Sequence, residues 1–333
     1  MEKISEIKLE KEQESSNAPI VGVDLAKESF KASLNGSVRS FKNEEEGIQE
    51  MIKWARRKSK TEQLLIAFEA TGSVSRPFTM KLIRRGMEWV CLFPPAVRAF
   101  ARSVGKQVKS DKQDARIIEE YARNLRTLGR LHTNPYVTER ILELQEIEST
   151  VETLKSHIRD IKNSLQTKEL RKESREALEK VLEVLEEQKE EAIESSMELI
   201  GSDEQLKELY ELYIKEPGVG KELARCLVVN VPELGHYKGS RIAALVGVTP
   251  VEKSSGAMDA KRHIYGGRKK VRSMFYEAMV SIHKCKGGEA KEFLEKLLAA
   301  GKPTKVAHIA TAHKILRILN AKAWKQMKGI PIT

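Results

Sequence analysis

Four carboxylates stand out by the company they keep. Asp24 interrupts the apolar run Ile20-Val-Gly-Val-Asp24-Leu25, and Glu69 closes a second run, Leu64-Leu-Ile-Ala-Phe68. A carboxylate set among aliphatic side chains is costly unless a cation or hydrogen-bond donors meet it. Asp111 and Asp114 follow in Lys109-Ser-Asp-Lys-Gln-Asp-Ala115. Ser110 suits the cap of a helix, and a spacing of three puts both acids on one side of its first turn. First-turn acids also favour the helix dipole, so this pair alone has an ordinary explanation. Taken together, four carboxylates can hold two hard cations through oxygen ligands. Two divalent ions about 3.5–4 Å apart stabilise the attacking and leaving oxygens of phosphoryl transfer.

A candidate nucleophile lies far downstream. Lys253-Ser254-Ser255-Gly256 follows the apolar segment Ile242–Val248 and Thr249-Pro250, which predicts a loop. A serine hydroxyl is a weak nucleophile until a base or metal activates it. No base lies beside it in sequence, so the distant carboxylates would have to supply the activation. Lys261, Arg262, Arg268, Lys269, Lys270 and Arg272 come next, and residues 251–286 hold 9 Lys or Arg against 3 acids. Such a stretch is either a solvated basic face or the contact for a polyanion. With phosphoryl-transfer acids in the same chain, nucleic acid is the substrate class that joins the two features.

The elements that must position these residues read as three stretches. Residues 1–17 are polar and form a loose extension. Residues 18–130 alternate strand and helix signals: the strand at Ile20, alternating segments Ser29–Leu34 and Ser37–Phe41 joined by Asn35-Gly36, a helical spacing over Glu45–Arg57, and the strand ending at Glu69. Asn-Gly between alternating segments is a strong hairpin signal. A helix over Pro77–Arg85, a strand over Trp89–Phe93 and a helix over Ala115–Arg126 complete an α/β domain with a mixed sheet. Residues 131–205 read as a coiled coil, with Leu144, Ile147, Val151, Leu154, Ile158, Ile161 and Leu165 at alternating steps of 3 and 4. Residues 206–333 read as all-α. There Glu216-Pro-Gly-Val-Gly-Lys221 makes a glycine turn that opens a helix, as a phosphate site or a helix–helix connection would.

Composition narrows the class further. The chain of 333 residues carries 59 Lys and Arg against 48 Asp and Glu, a net charge of +11, and only 5% aromatic residues. Residues 137–200 are net −7, so the remainder carries +18 and the coil is not the polyanion-binding part. No stretch has the roughly 18–20 consecutive apolar residues of a membrane span, and the charged N-terminus has no signal-peptide core. Cys91, Cys226 and Cys285 are scattered and odd in number, which fits a reducing cytoplasm and neither a disulfide framework nor a zinc set.

At this point the chain resembles a known family. Val21-Gly-Val-Asp24-Leu-Ala-Lys27, Phe68-Glu-Ala-Thr-Gly72, Pro94-Pro-Ala-Val-Arg98, Lys109–Ala115, Pro217-Gly-Val-Gly220, Ala243–Pro250, Ser254-Ser-Gly256 and Gly301–Val306 with Leu319-Asn320-Ala321 occur in family order over residues 20–322. They resemble the DEDD transposases of the "IS one-ten" (IS110) insertion-sequence family, relatives of the Piv-type DNA invertases. The resemblance implies a RuvC-like catalytic domain of the RNase H superfamily. In it Asp24, Glu69, Asp111 and Asp114 would ligate Mg²⁺, two ions with Mn²⁺ as a substitute. A helical C-terminal domain would contribute Ser255 as nucleophile, through a covalent phosphoserine. It also implies double-stranded donor and target DNA as partners, a structured noncoding bridge RNA as guide, and a homo-oligomer, dimer to tetramer, with no membrane association. The location expected is the nucleoid-associated cytoplasm. From Ile264 to Gly267 the segment is one residue shorter than the family pattern, downstream of Ser255.

Two other activities use the same residues. A metal-dependent nuclease of branched DNA would need the acids and water but no serine. An unguided site-specific invertase would keep the serine and dispense with the RNA.

Overall fold

Five strands organise the first part of the chain, and two of them carry the first two acids. The computed structural model describes residues 17–72, 74–105, 111–251, 263–264 and 266–331. The strands are β1 (Ile20–Leu25), β2 (Ser29–Leu34), β3 (Ser37–Lys42), β4 (Leu65–Glu69) and β5 (Glu88–Leu92), in the spatial order β3-β2-β1-β4-β5. β1 pairs antiparallel with β2 and parallel with β4, so the sheet is mixed. The Asn35-Gly36 turn has φ of 50° and 75°, the two left-handed residues that a tight β2–β3 hairpin requires.

Alternation along these strands builds two cores. Val21, Val23, Ile66 and Phe68 face α1 (Glu45–Ser59) and α2 (Ser75–Arg84), meeting Ile48, Met51, Phe78 and Leu82. Ile20, Leu65, Ala67, Val90 and Leu92 face the other way, toward Val97 of α3 (Pro94–Ser103) and Ile117, Ile118 and Ala122 of α4 (Asp111–Thr127). Helices thus cover both faces of the sheet, which is why its central strands are apolar on every side except where an acid appears.

The seat of α4 depends on a missing side chain. A Cβ at Gly22 would lie 2.4 Å from the Ala115 carbonyl oxygen and 2.4 Å from the Glu119 amide nitrogen. Glycine lets the helix backbone rest directly on β1. One turn farther along, Glu119 is buried and fastens the helix to the β2–β3 hairpin. It accepts from Ser33 Oγ at 2.6 Å and from the Asn35 amide at 2.7 Å, and pairs with Arg123 at 2.6 Å. At the far end of the helix, Arg126 donates to the Ala18 carbonyl at 2.5 Å. The helix therefore runs antiparallel to β1.

The chain divides into two units, one ending at Leu142 and the other starting at Glu143. The second is helical: most of α5 (Glu139–Leu165), then α6 (Lys172–Gly201), α7 (Glu204–Ile214), α8 (Lys221–Asn230), α9 (Gly239–Val246), α10 (Lys269–Lys284), α11 (Glu289–Ala299) and α12 (Thr304–Met327). Residues 223–229 of α8 are all buried, placing that helix at the centre. The expectation of an all-α C-terminal domain needs one correction. A two-stranded antiparallel ribbon, β6 (Pro250–Val251) and β7 (His263–Ile264), pairs Pro250 with Ile264 and Val251 with His263. Two-residue strands are too short to leave an alternation in the sequence.

In the region expected to be a coiled coil, Leu144, Val151 and Ile158, seven apart, form a buried stripe on α5. Beyond Ile158 none of residues 159–195 is fully buried. A Lys162–Glu186 ion pair at 2.7 Å joins α5 to α6. Val181 and Val184 of α6 are exposed.

The Gly22 contact makes a direct prediction. Gly22→Ala should cost about 1–3 kcal/mol or more, because a methyl there must displace backbone and not a flexible side chain. Urea denaturation of the variant would measure it, and an unchanged midpoint would show that α4 does not need the close approach.

Candidate active site

Strand register decides where the first two acids go. The parallel ladder matches Val23 with Phe68, so Asp24 and Glu69 come next on neighbouring strands at the same edge of the sheet. They also share a face. Ile20 and Gly22 precede Asp24 by even steps and face α4, as Leu65 and Ala67 do before Glu69. Because α4 runs antiparallel to β1, its first turn, holding Asp111 and Asp114, lies toward that same edge.

Electrostatics agree with this placement. Burial pushes the Glu69 carboxyl above its ordinary range, the nearby Arg98 guanidinium pulls it back, and the charge of Asp114 raises it again. Glu69 and Asp114, 45 positions apart in sequence, therefore feel each other's charge. On the other side of β1, Lys31 stands opposite Asp24 in the β1–β2 pairing. Asp24 and Asp114 each have interaction partners as well. Asp111 is the first residue of α4.

Among the described residues, no three His, Cys, Asp or Glu side chains are grouped as a ready-made metal cluster. The chemistry of the donors still fits a hard cation: carboxylate oxygens, one already raised in pKa by burial and by a second acid. A carboxyl in that state gains when a divalent ion replaces its proton. The residues that would hold such an ion are Asp24, Glu69 and Asp114; the side chain of Asp111, expected to join them, lies outside those described.

Ser254, Ser255, Lys261 and Arg262 lie outside the described residues. β6 and β7 flank the segment that contains them. Three of the other basic residues, Arg268, Lys270 and Arg272, have internal duties. Arg268 grips Glu233 with two bonds of 2.6 Å and donates to the Asn230 carbonyl at 2.7 Å. Lys270 pairs with Glu148 at 3.4 Å, and Glu148 also meets Arg225 at 2.7 Å. Arg272 donates to the carbonyl oxygens of Val246 and Gly266. Glu148, Glu233 and Arg225 are nearly fully buried. Arg268, Lys270 and Arg272 thus hold the helical unit together, while Lys269 is exposed.

The glycine turn is a connection between α7 and α8, built to a tight fit. Gly218 has φ of 88°, and a Cβ there would lie 2.7 Å from Ile282 Cγ1. Glu216 is buried and bonded to Lys322 at 2.6 Å, and Gly220 caps α8. Asn320 accepts from the Gly235 amide at 2.9 Å and donates to the Tyr237 carbonyl at 3.0 Å, fixing the chain after α8.

Sequence reasoning gave no role to Arg98. Its signal was its place at the end of the Pro94-Pro-Ala-Val-Arg98 motif, on a helix that begins with two prolines one residue after β5.

Comparisons with known proteins meet this geometry from a different direction. Residues 21–171 match a model described as a transposase, that of the DEDD transposases of IS110 elements. Residues 212–295 match a second model, described as the transposase IS116/IS110/IS902 family. The chain is 23% identical over 307 residues to the pilin gene-inverting protein of Moraxella bovis, covering 90% of this chain and 93% of that protein. The pilin gene-inverting protein of Moraxella lacunata is similar to the same extent.

Two predictions separate scaffold from site. Arg268→Ala takes from the buried Glu233 carboxylate the guanidinium that holds it through two bonds, so it should lose about 3–5 kcal/mol of stability in urea denaturation. Lys269→Ala should leave stability unchanged and lower the salt dependence of DNA binding by about one unit of log–log slope. For Glu69 the sign runs with pH. Its raised carboxyl means the folded chain holds a proton that the unfolded chain releases, so stability falls as pH rises above the ordinary Glu range. Glu69→Gln should therefore melt higher than the parent at neutral pH in metal-free buffer, with the gap closing toward pH 4.5, the ordinary carboxyl value.

Proposed function

Since the chain belongs to the IS110 family of transposases, we propose that it recombines DNA by breaking and rejoining strands through a phosphoserine on Ser255. Asp24, Glu69, Asp111 and Asp114 would serve as the acidic centre of a RuvC-like domain. The observation that carries this reading is the shared face and edge of Asp24 and Glu69 beside the first turn of α4, with Asp114 felt by Glu69. The sheet order β3-β2-β1-β4-β5, with β2 antiparallel, supports the RuvC-like assignment.

Divalent cations, Mg²⁺ or Mn²⁺, would supply charge neutralisation at the phosphate and activation of the hydroxyl. The chain's own part is to position and hold. In the chemical step Ser255 Oγ attacks phosphorus and loses its proton, a Ser–O–P bond forms, and one sugar–phosphate O–P bond breaks to free a sugar hydroxyl. In the reverse sense a sugar hydroxyl of another strand displaces the serine, which recovers a proton. No bond energy is lost to water, so joining needs no external source of energy.

Base pairing to a structured bridge RNA would leave the protein only backbone contacts to make, in keeping with a basic surface and few aromatic side chains. Beyond Ile158 the apolar residues Ile161, Leu165, Leu178, Leu182 and Leu185 are only partly buried and Val181 and Val184 are exposed, which supports pairing with another copy of the chain, in a dimer or tetramer. One observation favours a second reading. Relatives that span nearly the whole chain are named for inverting a pilin gene, and an unguided invertase would use the same acids and serine on fixed sites.

Incubation with DNA carrying the element's junctions, followed by denaturation and mass spectrometry, should recover a DNA adduct on Ser255. Ser255→Ala should abolish the adduct and strand exchange while DNA binding persists. An adduct that survives in Ser255→Ala would move the nucleophile to Ser254. Free phosphate and hydroxyl ends with no adduct at any time would favour the nuclease.

A further inference from the structure

We propose that α3 is the phosphate-gripping wall of the carboxylate site, with Arg98 on the DNA phosphate that lies against Glu69 and Arg102 on the neighbouring phosphate of that strand. The inference rests on the functional reading above and adds to it the residues that hold the substrate backbone. The position of α3 comes first. β5 ends at Leu92, which pairs with Glu69, and the Ala70 amide donates to the Leu92 carbonyl at 3.2 Å. Only Phe93 separates that pair from Pro94 and the start of α3. The helix therefore starts at the same edge of the sheet where Asp24 and Glu69 end their strands.

Packing holds it there. Val97 is buried in the core that contains Leu65, Ala67, Ile117 and Ile118, the face to which Glu69 belongs. Phe100 and Tyr121 pack ring to ring at 5.2 Å, locking α3 onto α4, the helix of Asp114. With Val97 turned inward, Arg98 is exposed beside it, and Arg102, one turn on, is exposed as well. Four residues of helix separate the two by about 6 Å along the axis, the order of one nucleotide step along a strand. The field of Arg98 reaches Glu69.

Chemistry then selects the ligand. A site of several carboxylates repels the phosphodiester it must bind, and cations between the two relieve only part of that repulsion. A guanidinium at the rim offers a forked set of donors to phosphate oxygens and cannot lose its charge. When cleavage places more negative charge on the phosphate oxygens, the same donors stabilise it. A lysine in this place would offer charge without the fork.

The test uses the full chain, a short fluorescent DNA duplex and fluorescence anisotropy in EDTA, together with single-turnover cleavage in Mg²⁺. Arg98→Gln should weaken metal-free binding several-fold, lower its salt slope by about one, and slow cleavage by about 10²–10³-fold. Arg98→Lys should recover the salt slope and only part of the rate. Arg102→Gln should lower the slope with a smaller effect on rate. Glu69→Gln should tighten metal-free binding by removing a repelling charge. If Arg98→Gln leaves affinity and slope unchanged and alters only the melting temperature, Arg98 is a structural counter-charge for Glu69 and the inference is wrong. If Asp24→Asn cleaves like the parent while Arg98→Gln still weakens binding, the catalytic reading of the acids fails and the phosphate grip stands.

Discussion

The contact between α4 and β1 at Gly22 is the constraint on which the first unit depends. A helix and a strand normally keep a side chain's distance, and here the Ala115 carbonyl and the Glu119 amide occupy the space a Cβ would need. That approach sets the level of the whole helix. It brings the first turn of α4 to the edge where β1 and β4 end, and it buries Glu119 where the hairpin amides and Ser33 can reach it. The placement of the acids and the stability of the unit therefore share one cause, the seat of α4 on β1.

The second unit uses charge differently. Its buried carboxylates Glu148, Glu216 and Glu233 each have a cation: Arg225 with Lys270, Lys322, and Arg268. Pairs of this kind add little net stability over an apolar core, yet breaking one is expensive, so they fix which helix meets which. A basic stretch that looks in sequence like a single binding surface is thereby divided. Part of it is internal framework, and Lys269 faces outward.

Much of the first unit was legible from local pattern. Asn35-Gly36 fixed the hairpin because few residues accept two left-handed conformations in succession. The runs ending at Asp24 and Glu69 announced strands, and the two acids were conspicuous because burial makes them expensive. Other features had no local signal. Gly22 reads as an ordinary strand glycine until the helix above it is known. Lys270 finds its carboxylate 122 residues away, and no pattern within a window reveals that. The β6–β7 ribbon is two residues wide, and Arg98 gains a role only because β5 delivers α3 beside Glu69.

Recombination by this chain requires that acids from β1, β4 and α4 act as one cation-binding centre. Titration of the full chain with Mn²⁺, followed by electron paramagnetic resonance of the free ion, measures this without any DNA. The expected result is about two ions bound per chain, with Asp24→Asn and Asp114→Asn each losing binding although the first lies on a strand and the second on a helix. Undiminished Mn²⁺ binding in both variants would contradict it.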